Sequence, residues 1–166
     1  MQFVHDTLHL IESYIMAYGA MALFVIIYLE SFGAPMPGES AVIAASVLAT
    51  RGDLSIAHVM AAVFAGAVLG DSTGYLIGRY GGRALLERFG PRLGLTEERL
   101  ARTEALFRSK GPYIVVTARF VAILRQLNGV VAGTLAMPWL HFVAANAIGA
   151  ALWTALWTLG PYFFTD

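Results

Sequence analysis

The sequence predicts an all-α, polytopic membrane protein with an inverted repeat, two opposed re-entrant helical hairpins, about three full spans and an amphipathic connector. Three observations lead there. Hydrophobic residues make up 58% of the 166 and charged residues only 13%, about half the charged share of an ordinary soluble domain. Apolar runs of spanning or half-spanning length recur along the chain, parted by proline- and glycine-containing breaks. Carboxylates and arginines stand at those breaks, within sequence that otherwise reads as hydrocarbon-facing, where an ionised side chain is costly.

The first residues, Met1 to Asp6, lack the basic start of a cleavable signal peptide and read as a short amphipathic lead-in. Ser13 to Leu29 is just long enough to cross the bilayer if flanking residues help. The next ten residues, Glu30-Ser-Phe-Gly-Ala-Pro-Met-Pro-Gly-Glu39, organise the chain. Their prolines remove backbone donors and stop helices, so a broken helix or re-entrant turn is expected to carry Glu30 and Glu39 to membrane depth. Ser40 to Thr50 has eleven residues, which at about 1.5 Å each span little more than half the hydrocarbon. It reads as a half-helix ended by the turn Thr50 to Asp53. Leu54 to Gly78 is a full span interrupted by Asp71, and Gly66, Gly70, Gly74 and Gly78 recur on one face, a pattern that lets another helix approach closely.

The chain reads as a single membrane domain, 1–166, with a first half at 13–79, a connector at 80–110 and a second half at 111–162. Eight of the eleven basic residues lie between Arg79 and Lys110, against four acids. Gly90-Pro91 divides the connector, and Thr96 starts a helix with Glu97 and Glu98 in its first turn and Arg108 and Lys110 closing it, matching the helix dipole. Leu100, Thr103 and Phe107 share a face, as on a helix lying on a bilayer; a solvated surface helix fits the same pattern. Basic loops stay in the cytoplasm. The span before the connector would then run inward and Trp139 to Gly160 outward, with the hairpins opening to opposite sides, a transporter architecture.

In the second half, Gly111 to Ala118 is apolar but short and leads into Arg119-Phe-Val-Ala-Ile-Leu-Arg125. Asn128-Gly129 is a turn signal, expected at the tip of the second hairpin. Pro138 divides a half-helix, Gly129 to Met137, from a span, Trp139 to Gly160. An internal repeat supports the division. Ala65-Gly-Ala-Val-Leu69 aligns with Ile148-Gly-Ala-Ala-Leu152, and His58 with His141, at an offset of 83, while Ser46 to Ala49 aligns with Gly133 to Ala136 at 87. Two alanine-rich helices could align as well by composition alone; the order of elements is the stronger argument.

The candidate site residues follow from these placements. Burial and a neighbouring negative charge both favour the protonated form of a carboxyl, so Glu30 and Glu39 read as a protonatable, proton-coupling pair. The alternative is a helix-start residue and a membrane-edge residue. Arg119 and Arg125 have the fork that grips phosphate, but on an unbroken helix they would point about 120° apart. They face one site only if the backbone bends between them, and snorkelling to headgroups is the other reading, fitting Arg119 better. Asp71 is a proton relay or the partner of an arginine. Trp139, Trp153 and Trp157 read as interfacial and packing residues. His5 and His9 have ligand spacing but no third ligand, and His58 and His141 start their spans. There is no cysteine, no nucleophile–base motif and no glycine-rich phosphate loop. No enzyme, metal, cofactor or nucleic-acid partner is therefore expected.

Taken together, Glu30 with Pro37-Gly38-Glu39, Gly70-Asp71 with Tyr75 and Gly78-Arg79, Arg119-Phe120 with Arg125 and Ala132-Gly133, and the ending Leu159-Gly160-Pro161-Tyr162 resemble the bacterial DedA membrane proteins, which share the VTT (SNARE-associated) domain. The resemblance runs from Tyr14 to Tyr162. It implies a fold with two opposed re-entrant hairpins in the bacterial inner membrane. It also implies essential roles for Glu30, Glu39, Arg119 and Arg125, and proton-motive-force-dependent transport. Some members return undecaprenyl phosphate to the cytoplasmic leaflet, and eukaryotic relatives are lipid scramblases. The expectation is thus a flippase for an anionic polyprenyl phosphate, with Arg119 and Arg125 on the phosphate and Glu30, Glu39 and Asp71 coupling protons. Phospholipid scrambling without protons, or a non-transporting scaffold, are the alternatives, and homo-oligomerisation is left open. Many members carry a further C-terminal span, so a chain stopping at Asp166 is expected to leave its C-terminus outside.

Overall fold

The computed structural model describes residues 18–94 and 96–164, and every regular element among them is helical. The expected amphipathic lead-in, the start of the first span, and His5 and His9 lie outside the described residues. Helix α1 covers Tyr18–Glu30 and α2 Gly38–Thr50. The bend between them begins where Gly33 takes a left-handed φ of 107°. Its N–H and that of Ala34 bond back to the carbonyls of Glu30 and Leu29, each at 3.1 Å, which closes the end of α1 in the usual way of a glycine cap. Pro35 and Pro37 then keep the chain from resuming a helix until Gly38.

Helix α3, Ile56–Ile77, runs without a break through a π-helical turn, Gly78–Gly82, into α4, Arg83–Phe89, and a 3-10 turn, Gly90–Leu93. The connector is therefore a continuation of the span. Thr96 does cap the next helix, α5, accepting from the Arg99 N–H at 3.2 Å. That helix, however, extends over Glu97–Ala118 instead of closing at Lys110. The reason is its buried stripe: Phe107, Gly111 and Val115 follow one another at four-residue intervals. Pro112 within the helix removes only one ladder bond.

The second bend lies at Arg119–Val121, before α6, Ala122–Thr134, and not at Asn128-Gly129. That pair is interior to α6 because each member packs. The Asn128 amide donates to the Val115 carbonyl at 3.0 Å, and Gly129 lies against the backbone of Asp71 and Tyr75. The expected half-helix thus starts seven residues earlier than Gly129. Pro138 precedes α7, Trp139–Phe164, as anticipated. The α3–α4 continuation and α7 are long and apolar enough to cross a membrane, whereas α1 and α2 are shorter apolar helices.

The glycine stripe of α3 is used as its spacing suggested. Gly66 and Gly70 press on α1, and Gly74 and Gly78 on α6, replacing side chains by backbone approach where no hydrophobic effect drives helices together. Two apolar clusters result. One joins α1, α2, the first half of α3 and Ala150 and Trp153 of α7; the other joins Tyr75, Phe107, Val115, Ala132, Met137, Phe142 and Ala145. Asp71 is one turn from Ala67 in the first cluster and one turn from Tyr75 in the second. Asn146 and Ala150 of α7 straddle the same boundary. The charged groups occupy the junction.

Candidate functional site

Six buried or half-buried polar side chains meet at that junction, in two knots. In the first, the Arg125 guanidinium, 4% exposed, bridges two carboxylates. Its Nη2 donates to Glu30 Oε1 at 2.9 Å and its Nη1 to Glu39 Oε1 at 2.7 Å. Glu30 is the last residue of α1 and Glu39 the second of α2, so the two arms of the first bend hold one cation contributed by the second. The guanidinium lies 4.8 Å above the Trp153 ring, a cation–π arrangement that further supports a desolvated charge. Gly38 makes the geometry feasible, because a Cβ there would overlap the Glu30 carboxylate.

Burial distinguishes the two acids. The Glu30 side chain is 7% exposed and that of Glu39 40%. The first is locked beneath the bend; the second opens to the outside of the packed core at the start of α2.

In the second knot Arg119, 1% exposed, donates through Nη1 to Asp71 Oδ2 and, at 3.0 Å, to Asn146 Oδ1. Of the two readings of Asp71, its side chain realises the arginine partner. Arg119 is not at a headgroup surface; it is enclosed by α3, α5 and α7, and Gly149 leaves room for its Cδ. The bend at Arg119–Val121 does separate the two arginines from a common helix, yet it assigns them different partners. The knots remain neighbours: Asn146 and Trp153 are seven residues apart on α7, nearly in line on one face and about 10 Å apart along the axis.

Around the knots, Tyr75 fixes the turn between α6 and α7. Its hydroxyl donates to the Met137 carbonyl and accepts from Arg79 Nη1 at 3.0 Å, while its ring stacks 4.8 Å from Phe142. Arg83 bonds Glu87 and Glu104 and reaches the Thr134 carbonyl at 3.4 Å, tying α4 to α5 and to the end of α6. His58 and His141 are exposed, and no group of metal-binding side chains occurs among the described residues.

Two contributors escaped sequence reasoning. Asn146 carried a usable signal: an amide in mid-span must find a partner or remain costly. Trp153 carried none, since a tryptophan in an apolar helix looks the same over a leucine as under a guanidinium.

Comparison with known proteins adds an independent line. A profile of the VTT domain matches residues 36–162. The chain is 41% identical over 146 residues to an uncharacterised membrane protein of Synechocystis, covering 88% of this chain and 67% of that one. It is 38% identical over 142 residues to an uncharacterised membrane protein of Mycobacterium tuberculosis, 83% and 65% covered. It is 32% identical over 169 residues to protein DedA of Escherichia coli, 97% and 76% covered. The chain spans 65% of the length of the mycobacterial relative, and no solved structure matches it.

Proposed function

We propose that this chain, which belongs to the VTT-domain (DedA) family of membrane proteins, is a proton-coupled lipid transporter that carries undecaprenyl phosphate from the outer to the cytoplasmic leaflet of the bacterial inner membrane. The observation that supports this reading is the placement of Arg125. Both terminal nitrogens of its fork are held by carboxylates, and the same fork is what a lipid phosphate would need. Phosphate and carboxylates therefore compete for one cation. With both acids ionised the site is net negative and repels a phosphate. A proton on Glu39, the more exposed acid, weakens its hold on Nη1 and turns the balance toward the phosphate. Release of that proton on the other side reverses the exchange.

Asp71 would serve as a third proton-coupling group. Arg119 would reach a phosphate only by parting from the fully buried Asp71, whereas one of the acids holding Arg125, Glu39, is partly exposed, so Arg125 is the primary headgroup ligand. The two bends act as opposed re-entrant hairpins of an inverted repeat, with residues 80–110 on the cytoplasmic side. The work is transport, with no bond made or broken in the lipid.

The test is reconstitution into vesicles containing lipid phosphates, with and without a pH gradient. Gradient-driven movement is expected for the parent, loss of gradient dependence for Glu39→Gln, and loss of phosphate-lipid movement for Arg125→Ala. If both variants move lipid as the parent does, the proposal fails. Movement independent of the gradient and of headgroup would instead identify a scramblase.

A further inference from the structure

A groove of about 430 Å³ runs between α5 and α7, walled by Pro112, Val116 and Thr117 on one side and by His141, Ala144 and Ile148 on the other. Its volume lies within the range of about 300–1,000 Å³ typical of small-molecule sites. Gly111 meets Met137 just before α7 begins, and Val116 meets Gly149 in its middle, so the two helices run in the same direction. Pro112 and His141 therefore mark one end of the groove, and Thr117 and Ile148 the other. Along its length the groove offers a polar ligand almost nothing. The Thr117 hydroxyl is satisfied by the Tyr113 carbonyl of its own helix at 2.7 Å, and the remaining polar side chains, Tyr113 and His141, stand at the Pro112 end.

That end is also basic. Arg108 is one turn before Pro112 and Lys110 one turn before Tyr113, so both continue the groove-lining face of α5 toward the connector. Neither forms an ion pair among the described residues. Tyr113 and Trp139, both exposed, are ring types that settle at headgroup level, which puts the basic end at the membrane surface and the apolar length below it.

We propose that this groove holds one hydrocarbon chain of an anionic membrane lipid, whose phosphate meets Arg108, Lys110 and His141 at the Pro112 end. The distribution of charge selects this occupant. A water-soluble ligand would find no polar partner along the walls, and a lipid without net charge would leave the cations unanswered. A second copy packed on the same face about a two-fold axis along the membrane normal would set those cations against their own kind. The groove is separate from the Arg125 site: Trp153, over which Arg125 lies, projects about 120° around α7 from His141.

The test places the full chain in phosphatidylcholine nanodiscs doped with phosphatidylglycerol that carries a diazirine at the end of one acyl chain. Adducts are mapped by peptide mass spectrometry. Labelling should saturate and concentrate on the groove walls around Thr117 and Ile148. Ala144→Trp, at an exposed position, should fill the groove and abolish that adduct. Scattered labelling of exposed residues such as Ile123 and Leu152 should persist and report that the variant is folded. Arg108→Gln and Lys110→Gln leave the groove open and should instead reduce the advantage of the probe over its phosphatidylcholine analogue, by about fivefold per cation. Labelling spread evenly over the exposed faces and unmoved by Ala144→Trp would overturn the proposal, as would equal labelling of the parent by both lipids. So would a disulfide-linked dimer formed through Ala144→Cys in this cysteine-free chain, since a second copy would then cover the groove. The readout is binding alone, so its failure would leave the role proposed for Arg125 untouched.

Discussion

The carboxylate of Glu30 occupies the space into which a side chain at Gly38 would project. The loop that joins α1 to α2 can hold Glu30 against Arg125 only while position 38 has no Cβ. Gly38→Ala should therefore push the Glu30 side chain off Nη2 and act largely through that acid. Overpacking of this size costs about 1–3 kcal/mol, read as a lowered unfolding temperature in detergent. In a Glu30→Ala background the clashing atoms are gone, so the second substitution should cost much less than it does alone. Additive losses would show that Gly38 acts elsewhere.

Arg125 is the one cation between two acids from different arms, and its replacement separates charge from geometry. Arg125→Lys keeps the charge but not the planar fork, so it can satisfy Glu30 or Glu39 but not both in their present positions. Arg125→Ala leaves Glu30 buried without a partner, a loss of about 3–5 kcal/mol for a broken buried pair. The expected order of stability is parent, lysine, alanine, measured by thermal unfolding in micelles. Transport should be lost in both. A lysine variant that transports as the parent does would remove the fork from the mechanism.

How much of this was readable beforehand depended on where the signal resided. Pro35, Pro37 and Gly33 act locally, on their own backbone, and the first bend lies where they are. Asn128-Gly129 has equally strong turn chemistry, but a buried carbonyl from Val115 and the close approach of α3 claim its two members for packing. Tertiary contact overrode a local preference there. The second bend, at Arg119–Val121, contains neither proline nor glycine and could not be located by such signals. Likewise, acids around one break and arginines around the other were visible in order along the chain. A partnership of acids with arginines, Asp71 among them, was legible as well. Which arginine takes which acid, Arg125 of α6 with Glu30 of α1 and Glu39 of α2 and Arg119 with Asp71 of α3, is set by tertiary packing, which the order of residues does not encode.

The Asp71–Arg119 pair offers a test of whether its role is structural. Both side chains are essentially inaccessible, so removing either leaves a buried charge alone. Asp71→Leu and Arg119→Met should each destabilise by about 3–5 kcal/mol, whereas the double replacement should recover most of the loss because no charge remains to be desolvated. Chemical or thermal unfolding of the four proteins gives the coupling directly. If the double variant is stable and still transports lipid, the pair holds the helices together and Asp71 is not a proton carrier. If it is stable and inactive, a proton-coupling role for Asp71 survives.

Tyr75 makes a separable prediction, because its ring and its hydroxyl do different things. The ring packs against both Phe142 and Trp139, with centroids 4.8 and 5.0 Å away, and Tyr75→Phe preserves those contacts. The hydroxyl is the donor to the Met137 carbonyl and the acceptor for Arg79. Met137 is itself 1% exposed, so losing that donor leaves a carbonyl in an apolar cluster at a cost of about 1–3 kcal/mol. The phenylalanine variant should thus unfold at lower temperature while transporting normally below it, since neither Arg125 nor its acids are touched. Tyr75→Ala should lose the ring contacts as well and fall further. Equal unfolding temperatures for parent and Tyr75→Phe would mean that the α6–α7 turn is held by stacking alone.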